Sequence, residues 1–299
     1  MTAQIDITQP PQGAPTTAAV RENFKRARDA IAELVTATAT LNSNGTSMAA
    51  QIASIAANAG PQAVTTLTAN RTYYVRADGD DANDGLTDTA GGAFRSLTKA
   101  TNTASKLLLD AWQIFIRVGP GTFASAPIRA IAASTTGGRS MEIIGSGKGV
   151  TIFGPLTVGA NTWVEASECS AAFCSASNSG TLTLYNVRTQ NVSAYTSGWV
   201  TTEPVEFTGN GAFAARATQG GIVELIEFSF LANPNYTWAI VAADMHGRVM
   251  IYNAGTGTPT GKKFDVAQGG IINTYGVGLA AIPGTVAGTA AASSGGYYN

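Results

Sequence analysis

The chain has 299 residues and a formal net charge of −1 at pH 7, and only 12% of its residues are charged, against roughly a quarter in ordinary globular domains. That balance gives no electrostatic basis for a nucleic acid or an anionic membrane surface as partner, and no apolar run reaches the length of about 18 that a bilayer span needs. One His and two Cys leave little material for a zinc site or a His-based catalytic centre, so the expectation is a chain without a cofactor and, more narrowly, not an enzyme.

Residues 1–15 (MTAQIDITQPPQGAP) contain three prolines and read as an extended arm, without the basic-then-apolar pattern of a secretory signal. Thr16 or Thr17 then offers a helix N-cap. Behind it, apolar positions recur at heptad spacing. Val20, Ala27, Leu34, Leu41, Met48 and Ile55 form one series; Phe24, Ile31, Thr38, Gly45, Ile52 and Ala59 form the other. This alternation suits a coiled-coil seam, with Val20, Phe24, Ala27, Ile31 and Leu34 at its start. Asn42–Ser47 is loop-like and Gly45 sits in the seam, so the spacing predicts helices over about 17–41 and 46–59, continuous across a weak point or folded back as a hairpin. An amphipathic helix packed on its own domain is the alternative.

Gly60-Pro61 closes this segment. Arg71–Arg76 predicts a strand, followed by an acidic loop with Asp78, Asp80, Asp81 and Asp84. Clustered carboxylates suit a hard cation, and these four are the weak metal candidates; the other reading is a turn held by Asx side-chain bonds to backbone. A helix is predicted from about Leu97 to Asp110, with Leu97, Ala100, Ala104, Leu107 and Leu108 on one face. From 112 to 275 short β-rich runs are punctuated by Gly, Asn and Ser, the pattern of a solenoid with coils of 20-odd residues or of a β-sandwich. The last 34 residues, from Val266, carry no charge, which predicts an interwoven or flexible tail.

The central segment carries a resemblance. Tyr73-Tyr74-Val75, the Gly79–Gly85 loop, Phe94-x-x-Leu97-x-x-Ala100 and Ile114–Phe123 resemble the opening of pectate-lyase-like parallel β-helix domains. In that family a short helix caps the open end. Lys263–Thr274, Ile282–Thr289 and Gly295-Gly296-Tyr297 are similar to the endings of bacteriophage tail-fibre and tailspike chains, and Pro15–Phe24 resembles virion attachment segments. The resemblance implies a mainly β fold, a right-handed single-stranded parallel β-helix with an N-terminal coiled-coil-like helix, assembled as a homotrimer. The expected segments are an arm and attachment helix over 1–60, a linker, strand and cap over 61–111, the β-helix over 112–275 and the tail over 276–299. It also implies a virion location, assembled in a bacterial cytoplasm. The partners it implies are copies of the same chain, other virion proteins bound through the N-terminus, and a host-surface glycan.

Candidate chemistry is sparse. A depolymerase needs two carboxylates roughly 5–10 Å apart. Glu165/Glu168, Glu203/Glu206 and Glu224/Glu227 are i, i+3 pairs, and such pairs face opposite ways in a strand. Glu206 and Glu227 are separated by about one coil length and form the best available catalytic pair. Asp244 and His246 are expected to share a strand face. Trp163, Trp199, Trp238, Tyr195 and Tyr236 are candidate platforms for sugar rings. Cys169 and Cys174 read either as two buried thiols or as an interchain link across a trimer.

Overall fold

The computed structural model describes residues 17–58, 65–109, 111–124, 126–128, 141–159, 162–290 and 297–298. Expectations for the extended arm 1–15, Gly60-Pro61 and Gly295-Gly296 lie outside these residues. The chain divides into two units, 1–62 and 63–299.

The first unit holds one helix, α1 (Thr17–Asn58), which runs unbroken through Gly45. Of the two expected arrangements, continuous across Asn42–Ser47 or folded back as a hairpin, the helix is the continuous one: a single glycine costs about 1 kcal/mol in a helix interior, too little to interrupt 42 residues. In the uncharged, threonine-rich stretch the hydroxyls are satisfied by turning back onto the preceding turn. Thr36 Oγ1 donates to Ala32 O at 2.9 Å and Thr38 Oγ1 to Leu34 O at 2.8 Å.

The second unit is built from short parallel strands. Every strand pairing among the described residues is parallel. This corrects the β-sandwich alternative, which pairs neighbouring strands antiparallel. Two large sheets result, one of thirteen strands and one of eight. Of three long strands, Trp163–Ala171, Thr181–Thr189 and Trp199–Thr208, the first and the last pair different partners with their two halves on one side. Trp199–Thr202 pairs Ile222–Leu225, whereas Val205–Thr208 pairs Phe228–Leu231. The thirteen-stranded sheet therefore offers a first face and, beyond a corner, a second. The eight-stranded sheet is a third face, running from Ala126–Ile128 to Thr289–Ala290. The topology is compatible with a parallel β-helix.

Strand alternation sorts the side chains. Along Trp199–Thr208 the residues Val200, Thr202, Val205 and Phe207 are buried, the alternation skipping once at the corner, and the residues between them are exposed or half-buried. Inside, equivalent positions stack in rows. Ile114, Met141, Val164, Leu182, Val200, Val223, Val249 and Ile272 follow one another in register, and all are fully buried. These rows supply the apolar burial that a solenoid needs from its neighbouring coils.

A short repeat sets the register. Ala176–Gly180, Ala194–Gly198, Ala217–Gly221, Ala243–Gly247 and Val266–Gly270 each have a small or branched apolar residue first and a glycine fifth. Each closes a tight turn in which the two central residues have positive φ, as at Thr196 and Ser197 or Met245 and His246, the type I′ pattern. The glycine N–H closes the turn, for example Gly198 N to Tyr195 O at 2.7 Å. A Cβ at Gly198 would lie 2.3 Å from Ala176 O, and one at Gly247 2.1 Å from Ala217 O. Only glycine lets the coil settle on the carbonyls of the coil before it.

At the beginning of the stack lies α2 (Leu97–Ala104), which buries Leu97, Ala100, Thr101 and Ala104. It stops at Ala104, short of the expected Asp110, because Leu107-Leu108 extends to pair with Thr65-Thr66. The uncharged C-terminal stretch continues the stack: Ile271–Asn273 pairs with Arg248–Met250, and Tyr297-Tyr298 with Ile271-Ile272.

Candidate functional site

The turn repeat dictates what the first face displays. The residue after each glycine points outward, so Thr181, Trp199, Ile222, Arg248 and Ile271 form a row, with Trp163 one coil earlier. Two residues on stands a second row, Glu142, Glu165, Thr183, Thr201, Glu224, Met250 and Asn273. Trp163 and Trp199 are 37% and 41% exposed. They lie two coils apart in one row, roughly 10 Å at the usual strand spacing.

Glu224 organises this surface. Its Oε2 accepts from Trp199 Nε1 at 3.0 Å and from Thr201 Oγ1 at 2.8 Å, and its Oε1 accepts from the Tyr252 hydroxyl at 3.1 Å. The Tyr252 ring stacks on Tyr275 with centroids 4.7 Å apart, and the Tyr275 hydroxyl lies 3.3 Å from Met250 Sδ. Partial burial, with help from Tyr275 and the Glu224 charge, holds the Tyr252 hydroxyl above the ordinary phenol range, so it stays a donor to the carboxylate. The rings of Trp199 and Tyr252 are thereby fixed rather than free to rotate.

The expected catalytic pair is not assembled. The coil from Trp199 to Ile222 takes 23 residues, not the 21 that would superpose Glu206 on Glu227. Glu206 stands opposite Ser229 instead, while Glu227 sits exposed beside Pro204 in a shallow groove with Asn253 and Thr256. Glu206 is occupied by cations: Lys148 Nζ lies 2.6 Å from Oε1 and Arg188 3.0 Å from Oε2. Burial alone would raise this carboxyl, but Lys148 and Arg188 outweigh it and hold it below the usual range. The other i, i+3 acids also separate: Glu203 faces Tyr185 in register, and Glu168 accepts from Asn186 at 2.8 Å.

The candidate glycan aromatics divide between surroundings. Trp163 and Trp199 share the first face. Trp238 belongs to the third-face neighbourhood, where its Nε1 donates to Asp265 Oδ2 at 2.7 Å and the Arg216 guanidinium covers its ring at 4.8 Å. Tyr236 is only 2% exposed and packs edge-on against Phe230, so it cannot meet an external sugar. Asp244 and His246 do not share a strand face: the strand ends at Ala243, Asp244 pairs with Arg216 at 2.9 Å, and His246 lies exposed in the turn.

Three of the four acidic-loop residues act on the backbone. Asp80 accepts from Ala82 N, Asp84 from Leu86 N, and Asp81 from Arg95 N, Ser96 N and Ser96 Oγ. Asp78 pairs with Arg76 at 2.8 Å. Each carboxylate has its own partner, and no cluster of three metal-ligating side chains occurs among the described residues. Cys169 and Cys174 are free and fully buried. Cys169 stacks in a row with Val187, Val205 and Phe228, and Cys174 in one with Leu156 and Val192. An interchain link would require the coil to open, because both thiols point inward; this corrects the disulfide expectation.

Sequence reasoning named Glu224 only as half of an i, i+3 pair and missed its bonds to Trp199 and Tyr252, as well as the Arg188–Glu206 pair. The signal was present: counting from the repeat glycines Gly221 and Gly247 places Glu224 three residues on and Tyr252 five residues on. Arg188 and Glu206 are 18 residues apart, the spacing of Gly180 and Gly198. No family model matches the chain, and neither the curated proteins nor the solved structures give a match to it.

Proposed function

We propose that this chain is a structural subunit of a phage-type virion fibre or spike. It is a homotrimer, attached to the particle through its N-terminal segment, and its second unit faces a host surface. The observation that carries the reading is α1. Phe24 is 73% exposed, Leu34 68%, and Ile31 and Leu41 lie on the same stripe. A helix of about 63 Å, at 1.5 Å per residue, does not hold such a stripe in water without partner helices. Threefold order comes from the resemblance of the chain ends to tail-fibre proteins. For the second unit we infer a right-handed single-stranded parallel β-helix, the hand that parallel crossover connections take in almost all cases. Stacked apolar rows and few charges suit a shaft.

The depolymerase alternative is the weaker reading, because Glu206 is neutralised by Lys148 and Arg188 and stands in register with Ser229 rather than Glu227. Light scattering on the purified full chain tests the fibre reading. The expected mass is three times that of the chain and is unchanged by reductant. A monomer at micromolar concentration would overturn it.

A further inference from the structure

The first face displays Trp163 and Trp199 in one row, with Glu142, Glu165 and Glu224 in the row beside it and Tyr252 bonded to Glu224. Exposed aromatic surface gathered on one face marks a binding surface. Two occupants are conceivable for such a face, a second copy of the chain or an external ligand, and the charge decides between them. Among its described residues the face carries Glu142, Glu165, Glu203 and Glu224, against Arg117 and Arg248. Packing identical copies of it together would set like charges against one another. The same charge repels polyanions, including uronic-acid and sialic-acid polymers.

We propose that this face binds an uncharged or amino-sugar oligosaccharide laid along the stack of coils. Sugar rings would lie on the Trp163 and Trp199 planes, and their hydroxyls or ammonium groups would donate to the neighbouring carboxylates. The spacing of roughly 10 Å between the two indoles suits contact with every second sugar of a chain rather than with a lone monosaccharide. Trp199 and Tyr252 are already fixed by Glu224, so little side-chain entropy is lost on binding. The inference rests on the adsorption part of the fibre reading and is independent of trimerisation.

The test is an array of neutral, amino-sugar and acidic microbial polysaccharides, probed with the full chain and with the W163A/W199A variant, the melting curve of each serving as the folding control. The expected result is binding to at least one neutral or amino-sugar glycan and to no acidic one, with at least a tenfold loss in W163A/W199A at an unchanged melting temperature. Glu165→Gln, a smaller change, is expected to weaken the same glycan severalfold. Binding confined to acidic glycans, binding to none, or binding indifferent to W163A/W199A would overturn the proposal. So would a fall in oligomer mass in W163A/W199A, which would assign the face to contact between copies. A wild-type monomer that still binds a neutral glycan would sink the trimer and leave this proposal standing.

Discussion

Gly198 and Gly247 do different work from glycines chosen for positive φ. Neither has a left-handed backbone; each is required because the carbonyl of the coil before it lies where a Cβ would go. Gly247→Ala must therefore push two coils apart, and overpacking of that kind costs roughly 1–3 kcal/mol. The expected outcome is a lower midpoint in a denaturant melt, with Gly91→Ala, which meets nothing nearby and also has no left-handed backbone, as the comparison. Glu206 gives a pH prediction. Its folded carboxyl is depressed by Lys148 and Arg188 despite burial, so its stabilising contribution is present above the ordinary Glu value of about 4.3. That contribution is lost as pH falls through the lower folded value. Glu206→Gln should be less stable than wild type at pH 7, and the difference should shrink in melts at progressively lower pH. The thiols give a third outcome. Burial pushes Cys174 up to about 12 and Cys169 higher still. A thiol-reactive dye at pH 8 should label neither until the chain is unfolded; fast labelling of the native protein would contradict the buried placement.

At the scale of elements, the two helices owe their existence to different causes. α2 is short and is fixed at its start. Ser96 Oγ accepts from Lys99 N at 3.1 Å, and Asp81 binds Ser96 from the other side. Ser96→Ala should cost about 1 kcal/mol, the usual worth of an N-cap, read as a shift in the melt of the second unit. α1 is long and draws no such support from its sequence beyond the heptad stripe. Its exposed ion pair, Arg26 with Glu22 at 3.6 Å, contributes little in water. Ile31→Asp should therefore dissociate the assembly, with the second unit still folded by circular dichroism. A variant that keeps the wild-type mass would remove α1 from the assembly interface. The strand elements are individually too short to stand alone and exist only as coils laid on coils.

For the whole molecule, the distribution of charge and the repeat of glycines have one physical root. A stack of coils brings equivalent residues of successive turns to about 4.8 Å. Identical charges cannot be stacked at that distance without cost, which favours a sequence poor in charge and rows such as Arg188 on Glu206. The chain's composition, its mainly β character and the N-terminal heptads were legible because they are local: they depend on residue type and on spacing within one element. The placing of Trp163 and Trp199 in one row, and the register of Glu206 with Ser229 rather than Glu227, were not. From Ile114 onward coil length varies from 18 residues between Trp163 and Thr181 to 27 between Ile114 and Met141, because the corners differ in the chain they absorb. A constant spacing read along the sequence therefore drifts out of register. The sequence by itself determined that this chain has a heptad helix followed by short strands. Only the tertiary structure decided which residues share a face, because register is fixed by the closure of each coil on the one before it.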